Sequence, residues 1–352
     1  MALETPELSH RQCLNLQPSG SACVRCRDIC PAGAISLDGD DLPQLDASAC
    51  TACTGCVRAC PVDDIGHTAA DPEALLLQAR RLVAQGQDDI NAACSAVPEP
   101  GPGLQVPCHA VWDPLLLAGM AAEGVRSLHP QGIDRCDACA LRFGSELLQQ
   151  CENDYAELNR GLAVRLRIER QRMAKSVPPP AQSPPGDEPA RRAFFRKLIP
   201  SLAQGAADAT AQISQAAGQA ISEGMRDEDD GRSASLPVRL RLFLRALPRL
   251  KPDFTPVPYL PSVPLGSLQA DERCTACNRC VELCPTQALS LRGFGAKKIL
   301  EFQSDACIGC QRCVDLCPEH ALELLPGISL PALLTRLTRP LVMVPDRGTR
   351  QT

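Results

Sequence analysis

The sequence predicts an α+β protein in which two small cysteine-rich modules flank a small α/β domain, joined by Pro-rich linkers and helical segments. Three observations carry that prediction. Cysteines recur with one fixed spacing near both ends of the 352-residue chain. Between them, apolar residues take helical and strand-length spacings. Proline-dense stretches separate the pieces, as extended spacers do. Composition agrees: with 21 Cys, 32 Pro and 3% aromatic residues, no single large core is expected. A formal charge of −5 and the lack of a basic patch with interleaved aromatics speak against nucleic-acid binding. No charge-free apolar run is long enough for a membrane-spanning helix.

The C-terminal module, residues 266–327, has the clearest pattern. Cys274, Cys277, Cys280 and Cys284 precede Pro285, and Cys307, Cys310, Cys313 and Cys317 precede Pro318. Each half reads C-x2-C-x2-C-x3-C-P. This run resembles that of bacterial two-cluster ferredoxins, where it holds [4Fe-4S] clusters. The resemblance implies a bacterial-ferredoxin-like module with crossed ligand sets: Cys274, Cys277 and Cys280 with Cys317, and Cys307, Cys310 and Cys313 with Cys284. Zinc sites draw on two separated pairs, so a third Cys at the next i+3 position before Cys-Pro fits zinc poorly. Disulfides also fit poorly. The N-terminus lacks the basic and apolar regions of a secretory leader, and reduced cysteines suit a cytoplasmic location.

Residues 1–70 carry an imperfect copy. Cys23, Cys26 and Cys30 precede Pro31, and Cys50, Cys53, Cys56 and Cys60 precede Pro61. The phrase after each fourth cysteine is echoed as P-A-G-A-I, P-V-D-D-I, P-T-Q-A-L and P-E-H-A-L, which points to duplication of a whole module. By the same crossed pairing, Cys50, Cys53, Cys56 and Cys30 form one set, and Cys23, Cys26 and Cys60 supply three ligands of another. The position three before Cys23 is Gly20, which cannot ligate. Cys13 lies ten residues before Cys23, with Pro18 and Gly20 as turn residues between, so it is the expected displaced ligand. The alternative is a free thiol at Cys13 beside an incomplete or absent cluster, where an open iron would be a place for chemistry.

Residues 71–174 read as the α/β domain, with helices over 72–84, 114–123 and 147–168 and buried strands over 89–95, 103–107 and 124–128. Loops at one end of such a sheet build sites, and Cys94, Cys108, Cys136 and Cys139 all follow strands. Cys94, then Pro107-Cys108, then A-x-E-G-V, then Cys136-x2-Cys139 resembles the small hydrogenase delta-subunit-type domain, which implies an iron-sulfur cluster. That family's G-C-x-x-G-D-C-H run reads R-C-D-A-C-A here. From the residues alone the group admits an additional iron-sulfur cluster, a structural zinc, or buried free thiols. Cys151 reads as a core residue of its helix, and His109 as an ordinary polar residue.

Residues 175–265 read as linker. Over 177–189 the sequence V-P-P-P-A-Q-S-P-P-G-D-E-P is an extended spacer. A helix-prone polar stretch over 191–225 opens on R-R-A-F-F-R-K-L, which resembles a twin-arginine export signature but lies mid-chain without an apolar stretch after it. From 232 to 251 there are six basic residues and no acidic ones, with Leu240, Phe243, Leu244 and Leu247 on one helical face. Such a basic helix either packs on a module or makes a peripheral contact with an acidic partner or membrane surface. A second Pro-rich extended segment follows over 251–264, and 328–352 reads as a tail.

The leading functional reading is single-electron relay through four [4Fe-4S] clusters, to or from a redox partner such as a dehydrogenase, reductase or hydrogenase. No flavin or nicotinamide fingerprint is present. The alternative is a redox enzyme or maturation factor whose reactive centre is the middle cysteine group, fed by the two modules.

Overall fold

A computed structural model describes residues 4–16, 22–139, 143–170, 236–260, 263–325, 327–334 and 338–345. The expected spacer at 177–189, the polar helix with its twin-arginine phrase, and the acidic break at 227–230 lie outside the described residues.

The centre of the fold is a parallel four-stranded sheet in the order Leu104–Val106, Asp89–Cys94, Ser127–Gln131, Arg167–Ile168. Two of its helices begin with the same local grammar. Asp71 caps Pro72–Ala84 by accepting from the Ala74 N–H at 2.8 Å, and Asp113 caps Pro114–Ala122 by accepting from Leu115 and Leu116 at 2.9 and 3.0 Å. An Asp cap followed by Pro at the first helical position sets both the starting hydrogen bond and φ. The third helix runs Gly144–Leu158, earlier than the expected 147–168. It stops because the chain must return: Gly161 approaches Leu330 and the Thr255 carbonyl, and Tyr155 Oη accepts from the Leu166 N–H at 3.1 Å to launch Arg167–Ile168.

The two cysteine modules share one plan. In the first, Glu7–Leu8 pairs with Ile65–Gly66 and Ile35–Leu37 with Pro43–Leu45; in the second, Leu268–Ala270 pairs with Leu322–Leu324 and Leu289–Phe294 with Lys297–Gln303. All four pairs are antiparallel, and each module adds two short helices, Arg25–Asp28 and Gly55–Ala59 or Arg279–Glu282 and Arg312–Asp315.

Two expectations are corrected and one is met on its packing side. One large apolar core runs from Leu14 and Val62 through Trp112, Leu117, Leu128 and Leu158 to Leu330 and Leu333, beside smaller clusters in the modules. It is built mainly of aliphatic side chains, which is why the low aromatic content misleads. The basic helix, Val238–Ala246, packs its apolar face as one of its two expected placements had it: Leu240, Phe243 and Leu247 are fully buried in that core. Its Arg239 donates to the Val57 carbonyl at 2.9 Å and pairs with Asp113 at 2.6 Å, while Arg241 pairs with Glu73 at 2.9 Å. Finally, the expected spacer and tail pair with other elements. Val257–Pro258 pairs with Gly327–Ile328, and Thr338–Pro345 adds a third strand beside Lys297–Gln303. Arg339 stacks 5.3 Å from the Phe302 ring centroid and closes that edge.

Candidate metal centres

The cysteine runs create one backbone device four times. The third residue after each fourth cysteine is left-handed: Gly33, Asp63, Gln287 and His320, with φ of 61°, 52°, 55° and 48°. The next N–H is thereby aimed at sulfur. Ala34, Asp64, Ala288 and Ala321 donate to Sγ of Cys30, Cys60, Cys284 and Cys317 at 3.3, 3.2, 3.2 and 3.3 Å. Within the runs, Ala52, Ala276 and Gly309, then Thr54, Asn278 and Gln311, are left-handed at matching positions. Ala52 and Gly309 add N–H bonds to Cys50 and Cys307 Sγ, both at 3.4 Å. Donors aimed at sulfur favour the thiolate, the form that binds metal.

Burial works in the opposite direction. It pushes the thiol of Cys26 up to about 11 and those of Cys56, Cys60, Cys280 and Cys307 up to about 12. A buried thiol of this kind ionises when a metal takes the proton's place, so metal binding releases protons. The donor set is all sulfur, which suits iron-sulfur chemistry.

Sulfurs from different runs come together. Cys274, Cys277, Cys280 and Cys317 line one cavity with Leu291, Leu300 and Leu322. Burial raises the Cys313 thiol, and its sulfur neighbours are Cys307, Cys310, Cys284 and Cys280. Around Cys56, likewise buried, stand Cys53, Cys30 and Cys50. Around Cys26 stand Cys23 and Cys13. Among the described residues, no three His, Cys, Asp or Glu side chains close on a single-ion position.

Cys13 is brought to Cys23 by residues that sequence reasoning missed. Asp64, 3% exposed, accepts at Oδ1 from Ser9 Oγ at 2.6 Å and from the N–H groups of Arg11 and Gln12 at 2.8 Å, and at Oδ2 from His10 N–H at 3.1 Å. One carboxylate thus folds the segment leading to Cys13. On the other side, Asn15 brackets Cys23, accepting from its N–H at 2.6 Å and donating to its carbonyl at 3.0 Å. The available signal was Asp64 itself, because the other three copies carry Ala there.

In the α/β domain, the four middle thiols also converge, at the C-terminal ends of parallel strands. A Cβ on Gly144 would stand 2.8 Å from Cys108 Sγ and 3.7 Å from Cys136 Sγ, and one on Gly132 would stand 2.8 Å from Cys94 Sγ. Glycine at both places leaves the space between the sulfurs open. Burial raises Cys94 first, and Cys136 and Cys139 add to it. Cys108, pushed up to about 12 by burial, also feels Cys53, and Cys53, Cys139 and Leu147 pack against it. The middle group therefore abuts the N-terminal module. Arg58 fixes that contact, donating to the Trp112 and Leu147 carbonyls, each at 3.0 Å. His109 is occupied: it bonds the Gln131 carbonyl at 2.8 Å and accepts from Trp112 Nε1 at 3.1 Å. Cys151 is fully buried in the apolar core, as expected.

Comparison with known proteins agrees with this geometry. Residues 273–321 match the model for a 4Fe-4S dicluster domain, and residues 47–63 match that for a 4Fe-4S binding domain. The chain is also similar to one component of the Na(+)-translocating ferredoxin:NAD(+) oxidoreductase complex of Acetobacterium woodii, 47% identical over 36 residues. That match spans 10% of this chain and 11% of the relative's length. No solved structure matches the chain. No helix among the described residues is long and apolar enough to cross a membrane. Residues 273–321 and 47–63 thus carry 4Fe-4S binding domains with ferredoxin-like features.

Proposed function

We propose that this chain is an electron relay with four [4Fe-4S] centres. Their ligands are Cys30, Cys50, Cys53 and Cys56; Cys13, Cys23, Cys26 and Cys60; Cys274, Cys277, Cys280 and Cys317; and Cys284, Cys307, Cys310 and Cys313. The observation that carries the reading is the fourfold N–H bond to the last sulfur of each run. When bound, each cluster supplies a one-electron couple. The protein's part is to hold thiolates, exclude water and direct amide dipoles at sulfur, which sets the potential. The partner is a redox enzyme such as a dehydrogenase, reductase or hydrogenase; the likeness to a component of an oxidoreductase complex supports that class.

The test is iron and acid-labile sulfide per chain after anaerobic reconstitution, with EPR of the reduced protein. At least ~16 Fe per chain is expected, falling by about one cluster in Cys13→Ala. Iron near 12 in both proteins would show that the Cys13 site is open or empty.

The convergence of Cys94, Cys108, Cys136 and Cys139 supports a second element: an additional iron-sulfur cluster in the middle domain. In the alternative reading this group is the reactive centre of a redox enzyme or maturation factor. Cys136→Ser with Cys139→Ser separates the two. A relay keeps every signal of the four outer centres and its electron throughput, whereas an enzyme loses turnover.

A further inference from the structure

The two modules meet through equivalent parts of their duplicated motif. Arg25 stands immediately before the third cysteine of its run, Cys26, and Arg312 immediately before the third of its own, Cys313. Arg25 reaches the carbonyl of Gly309, between Cys307 and Cys310, at 3.5 Å. Arg312, 6% exposed, reaches back to the carbonyl of Leu14, next to Cys13.

The seam is closely packed and apolar. Leu14 shares a core with Val263, Leu265 and Ile308. Tyr259 donates to the same Gly309 carbonyl at 3.1 Å. On the C-terminal side of the seam, a Cβ on Gly309 would meet the Leu265 carbonyl at 3.1 Å and the Tyr259 ring at 3.2 Å, and its φ of +58° also favours glycine. The Arg312 charge bears on both Cys13 and Cys310, one from each module. Two thiolate-rich groups held close in a dry seam repel each other, and two guanidiniums placed there offset that repulsion.

We propose that this seam is an internal electron-transfer junction, joining the Cys13, Cys23, Cys26 and Cys60 group to the Cys284, Cys307, Cys310 and Cys313 group so that the modules work in series. The proposal rests on the iron-sulfur reading above. One electron leaves the reduced centre on one side and is taken up by the oxidised centre on the other. No bond is made or broken. The electron comes from an external one-electron donor and leaves to an external acceptor, so each module serves one of them.

The test uses the full chain, reconstituted anaerobically with iron and sulfide and reduced with dithionite. EPR relaxation of the C-terminal module's signals is compared between wild type and Cys23→Ser with Cys26→Ser, which removes the facing group. Enhanced relaxation in wild type, lost in that variant, is expected. Arg25→Gln with Arg312→Gln is expected to keep wild-type iron but slow electron redistribution between modules after partial flash reduction. If the double variant loses iron, Arg25→Gln alone is used, since that side chain lies at the rim and is only half-buried. Full iron loading with identical relaxation in wild type and the Cys23→Ser, Cys26→Ser variant would overturn the junction and leave the iron-sulfur reading standing. Failure of wild type to take up iron would overturn that reading, and the junction with it.

Discussion

Asp64 and its three counterparts, Ala34, Ala288 and Ala321, mark where one copy of the repeat departs from the rest. The departing copy, which ends at Cys60, shares its module with the Cys23–Cys30 run, whose first ligand is displaced to Cys13. Asp64→Ala would restore the repeat consensus yet leave the 9–12 segment without its four hydrogen bonds. Iron is expected to fall by about four per chain, with loss of one EPR component; unchanged iron would mean that the segment is placed by something else. The left-handed turn makes a second prediction. Gly33 has φ +61° with open space around its Cα, so only backbone strain opposes a side chain. Gly33→Ala should cost about 1–2 kcal/mol, and Gln287→Gly should be neutral or stabilising, as read from denaturant midpoints of the loaded protein.

Among the elements, the basic helix has the largest leverage per residue. Arg239 and Asp113 are both nearly fully buried, and Asp113 is also the cap of Pro114–Ala122. Removing one partner of such a pair leaves an uncompensated buried charge. Arg239→Leu should therefore destabilise by about 3–5 kcal/mol. Arg245, on the exposed face of the same helix, should change stability by less than about 0.5 kcal/mol when replaced by Ala. Thermal unfolding of the two variants separates a packed helix from one held by general basicity. The start of helix Gly144–Leu158 carries another prediction, because a side chain there would fill the space between Cys108 and Cys136. Gly144→Val should abolish metal in the middle group and leave the other centres' EPR unchanged.

The whole molecule combines an aliphatic core with cysteine-lined clusters. One such cluster holds Cys26, Cys56, Ile35 and Ile65. Another packs Leu268, Leu289, Leu300 and Phe302 against partly buried cysteines of the C-terminal module, among them Cys274, Cys280, Cys284 and Cys313. The large core is mainly aliphatic, whereas the two smaller clusters are lined by cysteines of the modules. Removing iron should therefore lower the modules' resistance to denaturant without unfolding them at neutral pH, while the α/β domain keeps its far-UV signal. The apo protein should also be sensitive to high pH. Thiols such as Cys56, Cys60, Cys280 and Cys307 are pushed up to about 12 in the fold by burial. Unfolded thiols ionise near ~8.5. Because the unfolded chain sheds protons first, the stability these neutral thiols lend is present below that value and is lost as pH rises toward 12. Denaturant unfolding at neutral and alkaline pH should show this loss in the apo protein, whereas the iron-loaded protein, whose ligand sulfurs carry no protons, should lack it.

What the sequence determined by itself is local. Spacings of three residues decide which sulfurs can share a centre, and the phrase after each Cys-Pro encodes the left-handed turn at Gly33, Asp63, Gln287 and His320. Asp71-Pro72 and Asp113-Pro114 announce two helix starts in the same way. These features depend on a handful of adjacent dihedrals, so they can be read residue by residue. Tertiary structure decided the rest. Asp64 sets the path to Cys13 across more than fifty residues of chain, Thr338–Pro345 becomes a sheet strand by pairing with Lys297–Gln303, and Arg25 and Arg312 join modules that lie at opposite ends of the sequence. Each of these is a contact between surfaces formed only after the local units have folded, and neither composition nor spacing carries the distance between such surfaces.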